Sequence, residues 1–161
     1  MQKDNKRIYF ASPFFNDEQV EREERIKSHL RDLGFDVWSP KENCVCPPNA
    51  SQELRKSTFE ANCENIIKAD ILFAITDGKD MGTIWEAGYA CGINRVRNAF
   101  NEKPIIIVYY CETLGNAPFN LMLAQSGDIV ITKFDDIKQQ MNLLNLLVHG
   151  EAQYEFTGNI E

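Results

Sequence analysis

At 161 residues, 43% hydrophobic and 11% aromatic, the chain is long enough for one domain with its own core and too short for two of ordinary size. Its 24 acidic and 17 basic residues give a formal charge of −7. The lysines and arginines are scattered, which argues against a nucleic-acid or anionic-membrane partner and favours a neutral or cationic small ligand. No stretch approaches the ~18 consecutive apolar residues of a membrane span, and the N-terminus has no apolar signal core. A cytoplasmic protein without a membrane partner is expected.

In chain order, the first strand is expected over 7–11 and a helix over 16–33. A strand follows at 36–39, then an irregular stretch at 40–50 containing Pro47-Pro48, read as a surface loop near the site. The pattern continues with a helix at 51–68, a strand at 70–75, a helix at 82–100, strands at 104–110 and 128–132, and a helix at 134–148. In that last helix Ile137, Met141, Leu144 and Val148 recur at helical spacing. The tail 150–161 holds Tyr154, Phe156 and Ile160, too apolar for an idle end, and is expected to pack on a neighbouring subunit. Alternating strands and helices predict a single α/β domain over 1–161. Its five-stranded parallel sheet would be doubly wound in the flavodoxin-like order 2-1-3-4-5. The ligand crevice of that order lies beyond the carboxyl ends of strands one and three, so function should sit at 9–15 and 76–86.

The second of those segments carries Asp77, Asp80 and Glu86 within ten residues. Glu86 is expected in the first turn of its helix, where the helix dipole and free N–H groups favour an ionised carboxylate able to attack an electron-poor carbon. Thr83-x-x-Glu86 also matches a capping box, in which Glu86 would only bond back to the Thr83 N–H; local pattern leaves both readings open. Asp77 and Asp80 fit ordinary turn chemistry as well. After the first strand the turn reads Ser12-Pro13-Phe14-Phe15-Asn16, with no glycine-rich phosphate cradle. Phe14 and Phe15 would crowd a pyrophosphate but could stack on a base or sugar, or serve as core residues. The acidic loop opposite would repel phosphate, which points to a nucleoside rather than a nucleotide.

Ile8-Tyr9-Phe10-Ala11-Ser12-Pro13-Phe14-Phe15, then Ala69-Asp70, then Asp80-Met81-Gly82-Thr83-Ile84-Trp85-Glu86-Ala87-Gly88-Tyr89-Ala90, then Pro118-Phe119-Asn120-Leu121-Met122 together resemble the nucleoside 2-deoxyribosyltransferase family. The resemblance spans roughly 7–124, with an echo at Phe156-Thr157-Gly158-Asn159. It implies that Glu86 is the nucleophile that takes the deoxyribosyl group, that Tyr9 orients its carboxylate, and that Asp80 helps protonate the leaving base. It implies that Asn120 reaches across a subunit interface to the sugar 5′-hydroxyl; by local pattern alone Asn120 reads as a helix cap or turn residue. Asn62, Asp77, Phe14, Phe15 and Gly82 complete the expected substrate contacts. Asn62 stands where the family commonly has Asp, and an amide hydrogen-bonds but delivers no proton.

The implied chemistry parallels retaining glycosidases: a carboxylate adds to the anomeric carbon, and the sugar then passes from a covalent deoxyribosyl-Glu86 ester to a second base. The expected partners are a 2′-deoxynucleoside and a free nucleobase, in a homo-oligomer built on dimers, tetramer and hexamer included, that serves nucleoside salvage. No cofactor or metal is required. The five cysteines include no CxxC pair, and Cys44-Val45-Cys46 is a weak metal or redox half-site, so reduced thiols are expected. The rivals are an N-glycoside hydrolase on the same fold, with water as acceptor, and a silent nucleoside-binding module in which Glu86 is only a cap.

Overall fold

Five short runs of β-branched and aromatic residues form the sheet of this computed structural model, which describes residues 5–148 and 155–161. In chain order the elements are β1 (Arg7–Ala11), α1 (Asp17–Asp32), β2 (Asp36–Trp38), α2 (Pro40–Asn43), α3 (Gln52–Ile67), β3 (Ile71–Ile75) and α4 (Met81–Ala99). They continue with β4 (Ile106–Tyr110), α5 (Leu121–Ser126), β5 (Ile129–Ile131), a 3-10 turn (Phe134–Asp136) and α6 (Ile137–Val148). All strand pairs are parallel and their order is 2-1-3-4-5, as expected.

β3 and β4 are buried along their whole length because helices cover both faces. On one face Ile26 and Leu30 of α1 and Ile137, Met141 and Leu144 of α6 pack on Ile8, Phe10, Phe73 and Val108. On the other, Ile66 of α3, Ala87 and Ala90 of α4 and Ala124 of α5 pack on Tyr9, Leu72, Ile107 and Tyr109. Among the described residues no helix is long and apolar enough to cross a membrane.

Three details go beyond the expected outline. The stretch at 40–50 opens with a helical turn, α2, whose first residue is a proline that needs no amide partner there. Residues 121–126 are helical because Asn120 caps them, its Oδ1 accepting from the amides of Met122 and Leu123. The described part of the tail contacts its own chain at Phe119. Asn159 and Glu161 exchange backbone bonds with Phe119 at 2.8 and 3.0 Å, and the Phe156 ring lies 5.6 Å from that of Phe119. These pairings satisfy backbone groups of 119–121 that no strand reaches. Residues 150–154, Tyr154 among them, lie outside the described residues.

α1 is tied to the end of β2 by a buried ionic cage. Lys27, 1% exposed, bonds Glu23, 0% exposed, at 3.1 Å and Glu42 at 2.8 Å. Glu23 also accepts from the Ser39 hydroxyl at 3.0 Å and from Lys41 at 3.2 Å. Removing one partner strands a charge out of water, so Lys27→Met should lower stability by about 3 kcal/mol, while Glu23→Gln in the same chain should restore much of it. Urea unfolding of the two variants beside wild type checks this.

Candidate active site

The two segments expected to hold the site do meet at the carboxyl end of the sheet. β1 ends at Ala11, and the turn after it carries Phe14, half-buried, and Phe15, 74% exposed, with their rings stacked at 5.3 Å. Neither belongs to the two buried clusters that cover the sheet. Gln19 of α1 accepts from the Phe15 amide at 2.8 Å, and its Nε2 lies 3.4 Å from where a Cβ on Gly78 would sit. Gly78 has φ +81°, a turn conformation natural to glycine.

α4 begins one residue earlier than the sequence pattern suggests, because Asp80 rather than Thr83 caps it. Oδ2 of Asp80 accepts from the Thr83 amide at 2.8 Å and from its hydroxyl at 3.0 Å. Gly82 leaves room for that carboxylate, since a Cβ there would come within 3.2 Å of Oδ2. Glu86 therefore lies in the second turn, not the first, and makes no capping-box bond to Thr83. Its Oε1 instead accepts from the Tyr9 hydroxyl at 2.6 Å, across the gap between α4 and β1.

This placement reverses the expected electrostatics. Glu86 is beyond reach of the free N–H groups at the helix start, and burial pushes its carboxyl up to about 7, assisted by the nearby Asp80 charge and opposed by the Tyr9 hydrogen bond. Burial and the Glu86 charge push the Tyr9 hydroxyl far above its ordinary range, so it stays protonated and donates to Glu86. Burial, with Glu60 and Glu86 nearby, raises the Cys63 thiol, and burial raises that of Cys44. Among the described residues no three His, Cys, Asp or Glu side chains are grouped as a metal site.

Asp77 is 1% exposed, and its carboxylate accepts from the amides of Thr113 at 2.8 Å and Glu112 at 3.2 Å, so it holds the loop after β4. A cavity of about 500 Å³ lies beside it, lined by Asp77, Lys79, Ile84, Thr113, Asn120 and Glu161 among others. Glu86, Tyr9 and Asp80 are not in that lining. Ile84 and Glu86 are two residues apart, about 200° around a helix, so α4 shows Ile84 to the cavity and Glu86 to Tyr9. The exposed Asn120 thus lines the opposite side of α4 from the nucleophile candidate in its own chain. Asn62 on α3 is half-buried with its Oδ1 enclosed and unpaired, a hydrogen-bond acceptor without a donor.

Sequence reasoning missed the aromatic surroundings. Trp38 stacks on Tyr9 at 5.1 Å and 28°, and Trp85 stacks on Tyr89 at 5.2 Å with Phe59 of α3 against it at 5.4 Å. The i, i+4 spacing of Trp85 and Tyr89 was a usable signal; nothing local marks Trp38.

The family model for nucleoside 2-deoxyribosyltransferase matches residues 8–143. Among solved structures, a 2-deoxyribosyltransferase from the psychrotolerant bacterium Bacillus psychrosaccharolyticus is 31% identical, with a TM-score of 0.68 over 82% of this chain and 90% of that one. A conserved protein from Enterococcus faecalis V583 is 20% identical, with a TM-score of 0.51 over 97% and 90%, and shares the fold. No curated protein matches the chain.

Proposed function

Because the chain belongs to the nucleoside 2-deoxyribosyltransferase family, a family of enzymes, we propose that it passes 2-deoxyribose between nucleobases through an ester on Glu86. In the first half-reaction a Glu86 oxygen bonds to C1′ as the C1′–N bond breaks and its electron pair leaves with the base, which takes the proton that Asp80 carries in its acid form. In the second, Asp80 takes the proton from an incoming base, whose nitrogen bonds to C1′ as the ester C–O bond breaks and Glu86 is released as carboxylate. A missing 2′-hydroxyl lets positive charge develop more easily at C1′, which favours deoxynucleosides.

One observation carries this reading: the 2.6 Å bond from the Tyr9 hydroxyl to Oε1 of Glu86. It fixes one carboxylate oxygen and leaves the other for attack, in a position where Glu86 has no capping duty. Asn62, whose enclosed Oδ1 has no partner, would turn to meet a donor on the base, and Phe14 and Phe15 offer ring faces in the turn after β1. The Asn120 needed at the sugar 5′-hydroxyl comes from a second copy in a homo-oligomer, since the chain's own Asn120 faces the cavity on the other side of α4. Cytoplasmic nucleoside salvage is the setting this chemistry fits.

The test is chromatography of 2′-deoxyinosine with free adenine or cytosine, beside a tube without acceptor base. New deoxynucleoside is expected only with the acceptor. Free deoxyribose at equal rates in both tubes would make the protein a hydrolase, and tight nucleoside binding without either product would make it a binding module.

A further inference from the structure

Tyr9 holds Glu86 only if its own ring is held. Tyr9 lies in β1, and its register neighbours are Leu72 on β3 and Trp38 on β2. Paired residues of parallel strands project to the same face, and here the Trp38 indole lies over the Tyr9 ring at 5.1 Å, within the same apolar cluster. β2 is the edge strand, so Trp38 is the last sheet residue on that side of Tyr9.

The backbone carrying Trp38 is pinned on both sides. Arg31 bonds the Val37 carbonyl at 2.9 Å, the Ser39 hydroxyl donates to buried Glu23 at 3.0 Å, and Asn43 bonds the Ser39 carbonyl at 2.9 Å. Lys27 and Lys41 neutralise Glu23 from α1 and α2. A three-residue edge strand has little pairing of its own to resist fraying, yet this one is anchored by an ion cage with no direct part in the chemistry.

We propose that Trp38 is a positioning residue for the catalytic carboxylate: its indole holds the Tyr9 ring where the hydroxyl meets Glu86, and the Glu23–Lys27–Ser39 cage fixes the strand end that carries it. The inference rests on Glu86 as nucleophile for its catalytic meaning, though not for its structural content. Freed from the indole, the Tyr9 ring turns away and Glu86 loses the bond that favours its charged form.

The experiment is a carbon-13 NMR titration of the Glu86 carboxyl in the full chain, its signal assigned by loss in Glu86→Gln, for wild type, Trp38→Leu, Trp38→Phe, Tyr9→Phe and the Trp38→Leu/Tyr9→Phe pair. Trp38→Leu should move the Glu86 midpoint up by about one pH unit, as expected for losing a hydrogen bond to a charged group. Trp38→Phe should sit near wild type, and in the Tyr9→Phe background Trp38→Leu should add no shift. Should Trp38→Leu not fold, Trp38→Met reads the same change. An unmoved midpoint, or a shift as large without the Tyr9 hydroxyl as with it, overturns the proposal, since the indole would then act by excluding water or not at all. The readout needs no turnover: transfer activity persisting in Glu86→Gln would sink the proposed function while leaving this result intact.

Discussion

Glu86→Gln is expected to abolish deoxyribosyl transfer and, above neutral pH, to make the protein more stable. The amide is nearly isosteric and still accepts the Tyr9 hydrogen bond, but it does not add to C1′, so the rate should fall by about 10⁴-fold or more, the scale of losing a covalent nucleophile. The stability effect follows from burial. Glu86 titrates at about 7 in the fold against an ordinary 4.5, so between those values the folded state binds more protons than the unfolded chain, and stability falls as pH rises through the window. Above it, keeping the buried carboxylate charged costs up to about 3 kcal/mol. Urea midpoints should therefore separate in favour of Glu86→Gln at pH 8 and converge near pH 4. The same titration should give wild-type kcat/KM an acid limb near pH 7, since only the ionised form attacks. A variant that loses activity with no gain in stability at pH 8 would show that Glu86 is not held against its solvation, and the geometry argued from Tyr9 would fail with it.

The burial that raises Glu86 is not legible in the sequence, although much around it is. The strands were legible because Ile8, Val37, Ile71, Ile107 and Ile129 sit in β-branched runs bounded by polar residues, and parallel order follows from the helices between them. The start of α4 was misread because Asp80, Gly82 and Thr83 are all plausible at a helix entrance, and only the bond from the Thr83 amide to Asp80 decides among them. With Asp80 as the cap, a carboxylate expected to be eased into ionisation by the helix start is instead raised by burial. The Tyr9 contact spans 77 positions, which no local window contains. The two backbone bonds that Asp77 accepts from the loop after β4 join positions 35 and 36 apart, which no local window contains. α2 and α5 are too short to display a period.

Mixing an inactive variant with a weakened one should restore activity if each site takes Glu86 from one chain and Asn120 from another. Asn120 already caps α5 through Oδ1, so an alanine there would confuse lost folding with lost contact. Asn120→Asp avoids this, because aspartate caps a helix as well as asparagine does, while removing the amide N–H donor. Losing that donor to a sugar hydroxyl should lower kcat/KM by about 10- to 100-fold. After subunit exchange between Glu86→Gln and Asn120→Asp chains, about half the dimers are mixed, and each mixed dimer holds one site with both native residues, so about a quarter of sites should work. If both residues serve a site within one chain, no intact site forms and the mixture shows only half the residual Asn120→Asp rate. The two outcomes differ by more than the error of a product assay. Met81 at 85%, Met122 at 73% and Trp85 at 48% exposed are apolar side chains that a second copy would bury. Sedimentation of each variant alone should show the same oligomer as wild type, so that a missing recovery is charged to the site and not to assembly.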